Sequence, residues 1–354
     1  MTPPVTTRAT APEILARCRA LVRPALTQAV RRLHPWPAEM AAFSLGWSEV
    51  GGRPVPGPGG AGSHGKGVRQ ALTVLGAEAA GGSGADAVAG AVAVELIHTF
   101  SLLHDDIMDG DETRRQRPSV WKAYGTGPAV LAGDALFALA VETLADSRNV
   151  HSGAAVRHLA GTLNDLVRGQ AEDLLFEARP WTGPEAVSPG EYRTMAGHKT
   201  GALLGCAAGL GAVLAGAPAA TADTLTRAGR HLGVAFQAVD DVLGIWGDPR
   251  VTGKPVHGDL RRRKKTYPVL AAVSADGPGA RELVALLASG DALDDADARR
   301  AAALVEEAGG RRAALAEAHR QLDRARGCLE SVPLEPAAVG DLRTLVPFLV
   351  DRAV

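Results

Sequence analysis

From Val68 to about Val346 the apolar residues recur at three- and four-residue intervals, and no stretch shows the strict alternation of a half-buried strand. A chain patterned in this way stacks helices. Gly/Pro breaks at 81–84, 125–128, 180–190, 216–218, 247–258 and 277–279 separate the segments, with no fixed-period repeat of the solenoid kind. Composition agrees: 46% of residues are hydrophobic, mostly Ala, Leu and Val, and only 4% are aromatic, which suits close helix packing better than a β-sandwich. The expected architecture is all-α, a single-domain helical bundle around a central apolar cavity, spanning 13–354.

Three segments stand apart. Residues 1–12, dominated by Thr and Pro, read as a disordered tail, with a helix predicted from Pro12. The stretch "GGRPVPGPGGAGSHG", 51–65, reads as a flexible Gly/Pro insert. The charged, amphipathic run from Ala298 to Val332 reads as a solvated covering layer, with Glu317 and Gln321 as an i,i+4 pair.

The formal net charge of −1 creates no field that favours nucleic acid or an anionic membrane. Cys18, Cys206 and Cys328 lack paired metal spacing and read as reduced thiols of a cytoplasmic protein; the N-terminus lacks the apolar core of a signal peptide. The most apolar run, "GALLGCAAGLGAVLAGAPAA", is broken by Pro218 and predicts a buried helix, not a membrane span.

Two acidic clusters break the apolar pattern. In "HTFSLLHDDIMDGDETRR", His98–Arg115, a helix at about 100° per residue puts Asp105 and Asp109 on one face and His98 within ~20° of the same line. Carboxylates at that spacing repel unless a cation lies between them, and Mg²⁺, a hard ion that takes oxygen ligands and phosphate, fits. In "FQAVDDVLGIWGD", Phe236–Asp248, the residues Gln237, Asp240 and Gly244 share a stripe that Asp248 joins if the helix lasts that far. Two such helices facing each other would clamp a metal-bound diphosphate. By contrast, "DALDDADARR" places its Asp pair where helix capping explains it. "GAGSHGKG" imitates a P-loop but lacks the following Ser/Thr and a preceding strand. The basic run "RRRKK", 261–265, follows the second cluster and reads as a loop closing over phosphate. Trp121, Trp181 and Trp246 read as packing residues, His104 as support for the Asp pair, and Asp111 and Glu112 as loop residues.

The ordered set "DDIMD", "RRQRP", "DDVLGIWGD" and "GKPVHGDLRRRKKTYP" resembles the trans-isoprenyl diphosphate synthase family, across roughly 66–270. The resemblance implies an all-helical homodimer of the isoprenoid synthase fold that joins isopentenyl diphosphate to an allylic diphosphate using Mg²⁺. It places Asp105, Asp106 and Asp109 in a first metal-binding motif and Asp240 and Asp241 in a second. Arg114, Lys199 and Lys254 resemble the residues that grip the allylic diphosphate, with Thr200 and Gln237 beside the reacting carbons and Lys265 near the leaving group. Lys66, Arg69, His98 and Arg115 resemble the isopentenyl diphosphate site, and Gln170 and Asp173 a motif near the metals. Two departures stand out: Gln70 replaces a proline in "GKGVRQ", and Gly244 stands where many members carry a third aspartate.

In that family, bulky residues five and four positions before the first Asp set the product length. Here these are Phe100 and Ser101, which implies geranylgeranyl diphosphate (C20), with farnesyl diphosphate (C15) as the alternative. A terpene cyclase on the same fold would need no isopentenyl site, and a non-catalytic subunit would need neither Asp cluster.

Overall fold

The computed structural model describes residues 9–55, 67–249, 256–275, 277–289 and 293–350. Among the sequence expectations, the tail through residue 8, the insert from 56 to 65, Lys66 and Lys254 lie outside the described residues. Helix α1 (Ala11–Val30) begins inside the span expected to be a tail, because Thr10 and Glu13 form a capping box: Glu13 accepts from both the Thr10 N–H and its hydroxyl, each at 2.8 Å.

Helices α2 (Pro35–Ser44), α3 (Val68–Ala79), α4 (Val88–Met108), α5 (Val120–Tyr124), α6 (Thr126–Ala145), α7 (Ser152–Ala178) and α8 (Pro189–Ala196) follow. A π-helical turn at Gly197–Gly201 leads into α9 (Ala202–Leu214), then α10 (Ala219–Trp246) and α11 (Gly258–Arg261). The C-terminal part contains α12 (Tyr267–Val273), α13 (Pro278–Ala288), α14 (Asp295–Glu307), α15 (Gly310–Glu330) and α16 (Pro336–Val350). The fold is all-α, as the periodicity implies. The sequence pattern did not reveal the one hairpin among the described residues, β1 (Thr113–Arg114) with β2 (Arg117–Pro118), which is too short to show alternation.

The core is built on α3, α4, α9 and α10. The run expected to be a buried helix is α9, and nearly all of its residues are shielded from solvent. Its glycines let backbones touch. A Cβ on Gly211 would lie 2.8 Å from Ala77 N in α3, and one on Gly76 3.1 Å from the Ala208 carbonyl carbon. On the other side, Cβ atoms on Gly229 and Gly233 would lie 2.8 Å from Gly205 Cα and Gly201 N. Any side chain there would push the helices apart. A different helix is the apolar one facing outward: α6 is long and apolar enough to cross a membrane, with mean hydropathy 1.5, and only 39% of that window is buried.

The C-terminal helices are not the solvated layer expected. α15 packs on α10 and α12, and Glu317 is 1% exposed and Gln321 4%. Gln321 donates to Glu317 at 2.7 Å, while Arg320 and Arg193 bring positive charge to the same carboxylate. A buried carboxylate needs that many partners.

Candidate active site

The first acidic cluster closes α4. Asp109 caps the helix with helical dihedrals, and its N–H donates to the Asp105 carbonyl at 2.8 Å, so Asp105 and Asp109 share a face as the spacing requires. Asp106 turns elsewhere: it is 2% exposed and accepts a bidentate contact from Arg114, whose Nε lies 2.8 and 2.9 Å from its two oxygens. Burial holds the Asp106 carboxyl above its ordinary range, while Asp106 outweighs burial to raise the pKa of Arg114. Asp109 accepts from Lys264 at 3.0 Å, which overcomes burial and lowers its pKa; Asp111 pairs with Arg262. Only Asp105 accepts no hydrogen bond from a described residue, and burial pushes its carboxyl up to about 6.

A two-residue turn delivers the two arginines. Arg115 and Gln116 have φ of 51° and 62°, left-handed at both central positions of the β1–β2 hairpin, as such a turn requires but without the usual Asn or Gly. The turn is pinned by Arg117, which donates to the Phe43 and Ser48 carbonyls at 3.2 and 2.8 Å and lies over the Phe43 ring. Trp121, read as packing, also anchors this loop by donating to the Asp111 carbonyl at 2.9 Å. Arg114 therefore faces the acidic cluster. Arg115 lines a cleft of about 560 Å³, open to solvent, with Arg23, Trp47, Gln70, Glu95 and His98.

His98 Nε2, on the cleft wall, lies 3.2 Å from Arg69 Nη1. Burial and then Arg69, Arg115 and Arg114 push the His98 pKa well down, so its neutral ring accepts from Arg69. Burial brings the Arg69 pKa to about 10, and its buried Nε has no hydrogen-bond partner. Gln70 is 6% exposed with an unpartnered amide oxygen; a proline there would present none.

Across the site, the π-helical turn carries Lys199 and Thr200. Lys199 donates to Asp173 on α7 at 2.5 Å; burial lowers its pKa, but Asp173 and Asp105 raise it more. Thr200 donates to Gln237 Oε1 at 2.7 Å, and Gln237 donates to Asp241 at 2.9 Å. Gln170 lies beside Met108, 4.0 Å from its sulfur.

The second cluster divides unequally. Asp240 is half-buried and its charge reaches Arg69. Asp241 is 3% exposed and its oxygens are taken by the Tyr192 hydroxyl at 2.6 Å, the Tyr267 N–H at 3.0 Å and Gln237. Burial pushes it to about 7. Asp241 is thus a structural acceptor in this structure, not an open ligand. α10 ends at Trp246, so Asp248 lies past the helix and off the stripe.

Two further residues depart from expectation. Lys265 points away: its Nζ donates to the Glu177 carbonyl at 3.2 Å and lies 4.4 Å from the Trp181 ring centre. Its neighbour Lys264, with Arg262, is the cation that reaches the first cluster; within a run of five basic residues the spacing could not distinguish them. His104 approaches the Val130 carbonyl at 3.2 Å and packs on α6, away from the Asp pair.

Among the described residues no three His, Cys, Asp or Glu donors converge as a ready-made metal site. The acidic groups are instead neutralised by Arg114, Lys264 and Lys199. The donor set is all carboxylate, which suits a hard divalent cation, and at half-buried Asp105 desolvation still outweighs the attraction of Lys199 and Arg114.

The sequence matches the polyprenyl synthetase family over residues 60–305. The chain belongs to this family, the trans-isoprenyl diphosphate synthases, and is a prenyltransferase. It is 44% identical over 350 residues to the (2E,6E)-farnesyl diphosphate synthase of Mycobacterium tuberculosis, covering 98% of this chain and 94% of that one. It is 46% identical over 298 residues to the geranylgeranyl diphosphate synthase of the same organism, covering 84% and 82%. A crystal structure of a polyprenyl synthetase from Streptomyces coelicolor superposes with a TM-score of 0.87 at 46% identity, covering 95% and 98%.

Proposed function

We propose that the chain is a short-chain, Mg²⁺-dependent synthase that condenses isopentenyl diphosphate with allylic diphosphates up to C20. The observation that carries this reading is the pair of cationic groups flanking one acidic cluster. Arg114, Lys199 and Lys264 lie on the cluster side, and Arg115 lines the neighbouring cleft beside the neutral ring of His98, which Arg69 contacts. One set would hold the allylic diphosphate and the other isopentenyl diphosphate; a cyclase needs only the first. Asp105, Asp106, Asp109 and Asp240 would hold the metal, which neutralises the departing diphosphate. Arg114 and Lys264 would then release their carboxylates and turn to the phosphate oxygens. The cleft orients the isopentenyl double bond towards C1, replacing a bimolecular encounter. The test is incubation with Mg²⁺, dimethylallyl diphosphate and labelled isopentenyl diphosphate: C20 product is expected, and no incorporation would overturn the assignment.

Packing supports Ser101 as the floor. Phe100 stacks edge-on against His104 and Phe137, with centroids 4.8 and 5.4 Å away, and so belongs to the α6 side. Ser101 is half-buried, four residues before Asp105, with its hydroxyl on the His98 carbonyl at 3.0 Å. Ser101→Phe is expected to shorten the main product by at least one isoprene unit; unchanged length would remove Ser101 from the floor. Farnesyl diphosphate is the second reading, favoured by the relative of that name aligned over 98% of this chain.

We also place the protein in the cytoplasm, on the support of three free cysteines, and infer a homodimer. Leu131, Val167 and Leu175 are 56%, 63% and 66% exposed on the adjoining helices α6 and α7, with Val130, Phe137 and Leu174 beside them. Sedimentation velocity is expected to give twice the 36.5 kDa chain mass, and a monomer would refute the pairing.

A further inference from the structure

The position that departs most from the acidic motif is filled by another residue. Gly244 is on α10 one turn after Asp240, buried and without a side chain. A Cβ built on it would overlap Asp259 Oδ2 and lie 2.6 Å from Asp259 Cγ. The Asp259 carboxylate therefore occupies nearly the volume that an aspartate side chain at 244 would fill, since such a carboxyl carbon is one bond beyond its Cβ.

The fold fixes this placement. α10 ends at Trp246 and the chain returns at His257, whose φ of 60° is left-handed and whose N–H donates to the Ile245 carbonyl at 3.1 Å. Leu260, fully buried against Ile245 and Val269, anchors the short helix α11 in which Asp259 is the second residue. Asp259 keeps a side-chain exposure of 13%, and among the described residues Arg262 lies 3.7 Å away. Arg262 is itself committed to Asp111.

We propose that Asp259 is the third carboxylate of the second acidic motif, supplied by α11 in place of residue 244, and that it helps hold the divalent ion. This deepens the proposed function and rests on it. Glycine at 244 is then an accommodation for Asp259 and not a lost ligand.

The test uses full-length protein, Mg²⁺ and inorganic pyrophosphate, with thermal stabilisation as the readout. In the parent protein, stabilisation should depend on both; its absence would count against the proposed function itself. Asp259→Asn keeps the shape of the side chain and removes its charge. It is expected to raise the Mg²⁺ concentration at half-maximal stabilisation about tenfold or more, as loss of a group beside a metal does. Gly244→Asp alone should be destabilised, because its Cβ collides with Asp259. The exchange variant Gly244→Asp/Asp259→Gly should recover Mg²⁺ response to within about threefold of the parent. An unchanged Mg²⁺ midpoint in Asp259→Asn, or an exchange variant no better than Asp259→Asn, would overturn the inference while leaving the proposed function standing.

Discussion

Asp105→Ala is expected to lower turnover by about 10³-fold at saturating Mg²⁺, the scale seen when a pre-set electrostatic group is removed from a transition state. The same substitution should stabilise the metal-free protein. Burial holds the Asp105 carboxyl at about 6 against an ordinary value of 3.8. Between those values the unfolded chain has released its proton while the native chain keeps it, so stability falls as pH rises through the window. At pH 8 the native protein carries a charge whose desolvation outweighs the attraction of Lys199 and Arg114, and alanine removes it. Tm at pH 8 should therefore rise by about 2 °C or more, with the gain vanishing below pH ~4, where both states are protonated. Enzyme assay and calorimetry at two pH values check both halves. Near-normal turnover, or a fall in Tm at pH 8, would refute the role given to Asp105. A group that costs stability and supports activity is the usual signature of a binding residue.

Gly169→Ala is expected to be nearly as damaging without touching any substrate. A Cβ there would lie 2.7 Å from the His198 carbonyl carbon and from Lys199 Cα, and closer still to Lys199 N. These are backbone atoms of the π-helical turn, which cannot rotate aside as a flexible side chain could. The turn must move, and Lys199 moves with it. Overpacking of this kind costs about 1–3 kcal/mol. A displacement of about 1 Å in a positioning residue lowers the rate by about 10²-fold. A variant with parent-like Tm and turnover would show that α7 and the turn tolerate separation.

The acidic motifs, the helix periodicity and the two arginines after α4 were legible in the sequence because each depends on local spacing. What escaped depends on contacts between distant segments. Nothing in "VDDVLG" distinguishes Asp240 from Asp241; the division follows from Tyr192 and the Tyr267 N–H arriving from two other helices. Lys264 and Lys265 are adjacent in a basic run, and the backbone path after α11 decides which one meets Asp109. Glu317 looked like a solvated charge because helical charge patterning does not show that α10 covers it. The Thr10–Glu13 box, by contrast, was present in the sequence as a start signal for α1.

The ion pairs at the acidic cluster have a consequence for the order of ligand arrival. Arg114 and Lys264 are already held by Asp106 and Asp109, so a diphosphate arriving without metal must compete with bound carboxylates. On the proposed function, metal claiming those carboxylates would set the cations loose, and by linkage each ligand would strengthen the other. Arg69, by contrast, has a neutral imidazole as its hydrogen-bond contact among the described residues, with the charges of Glu95 and Asp240 acting from farther away. On the proposed reading, the two cations at the acidic cluster would stay locked to carboxylates until metal turns the key.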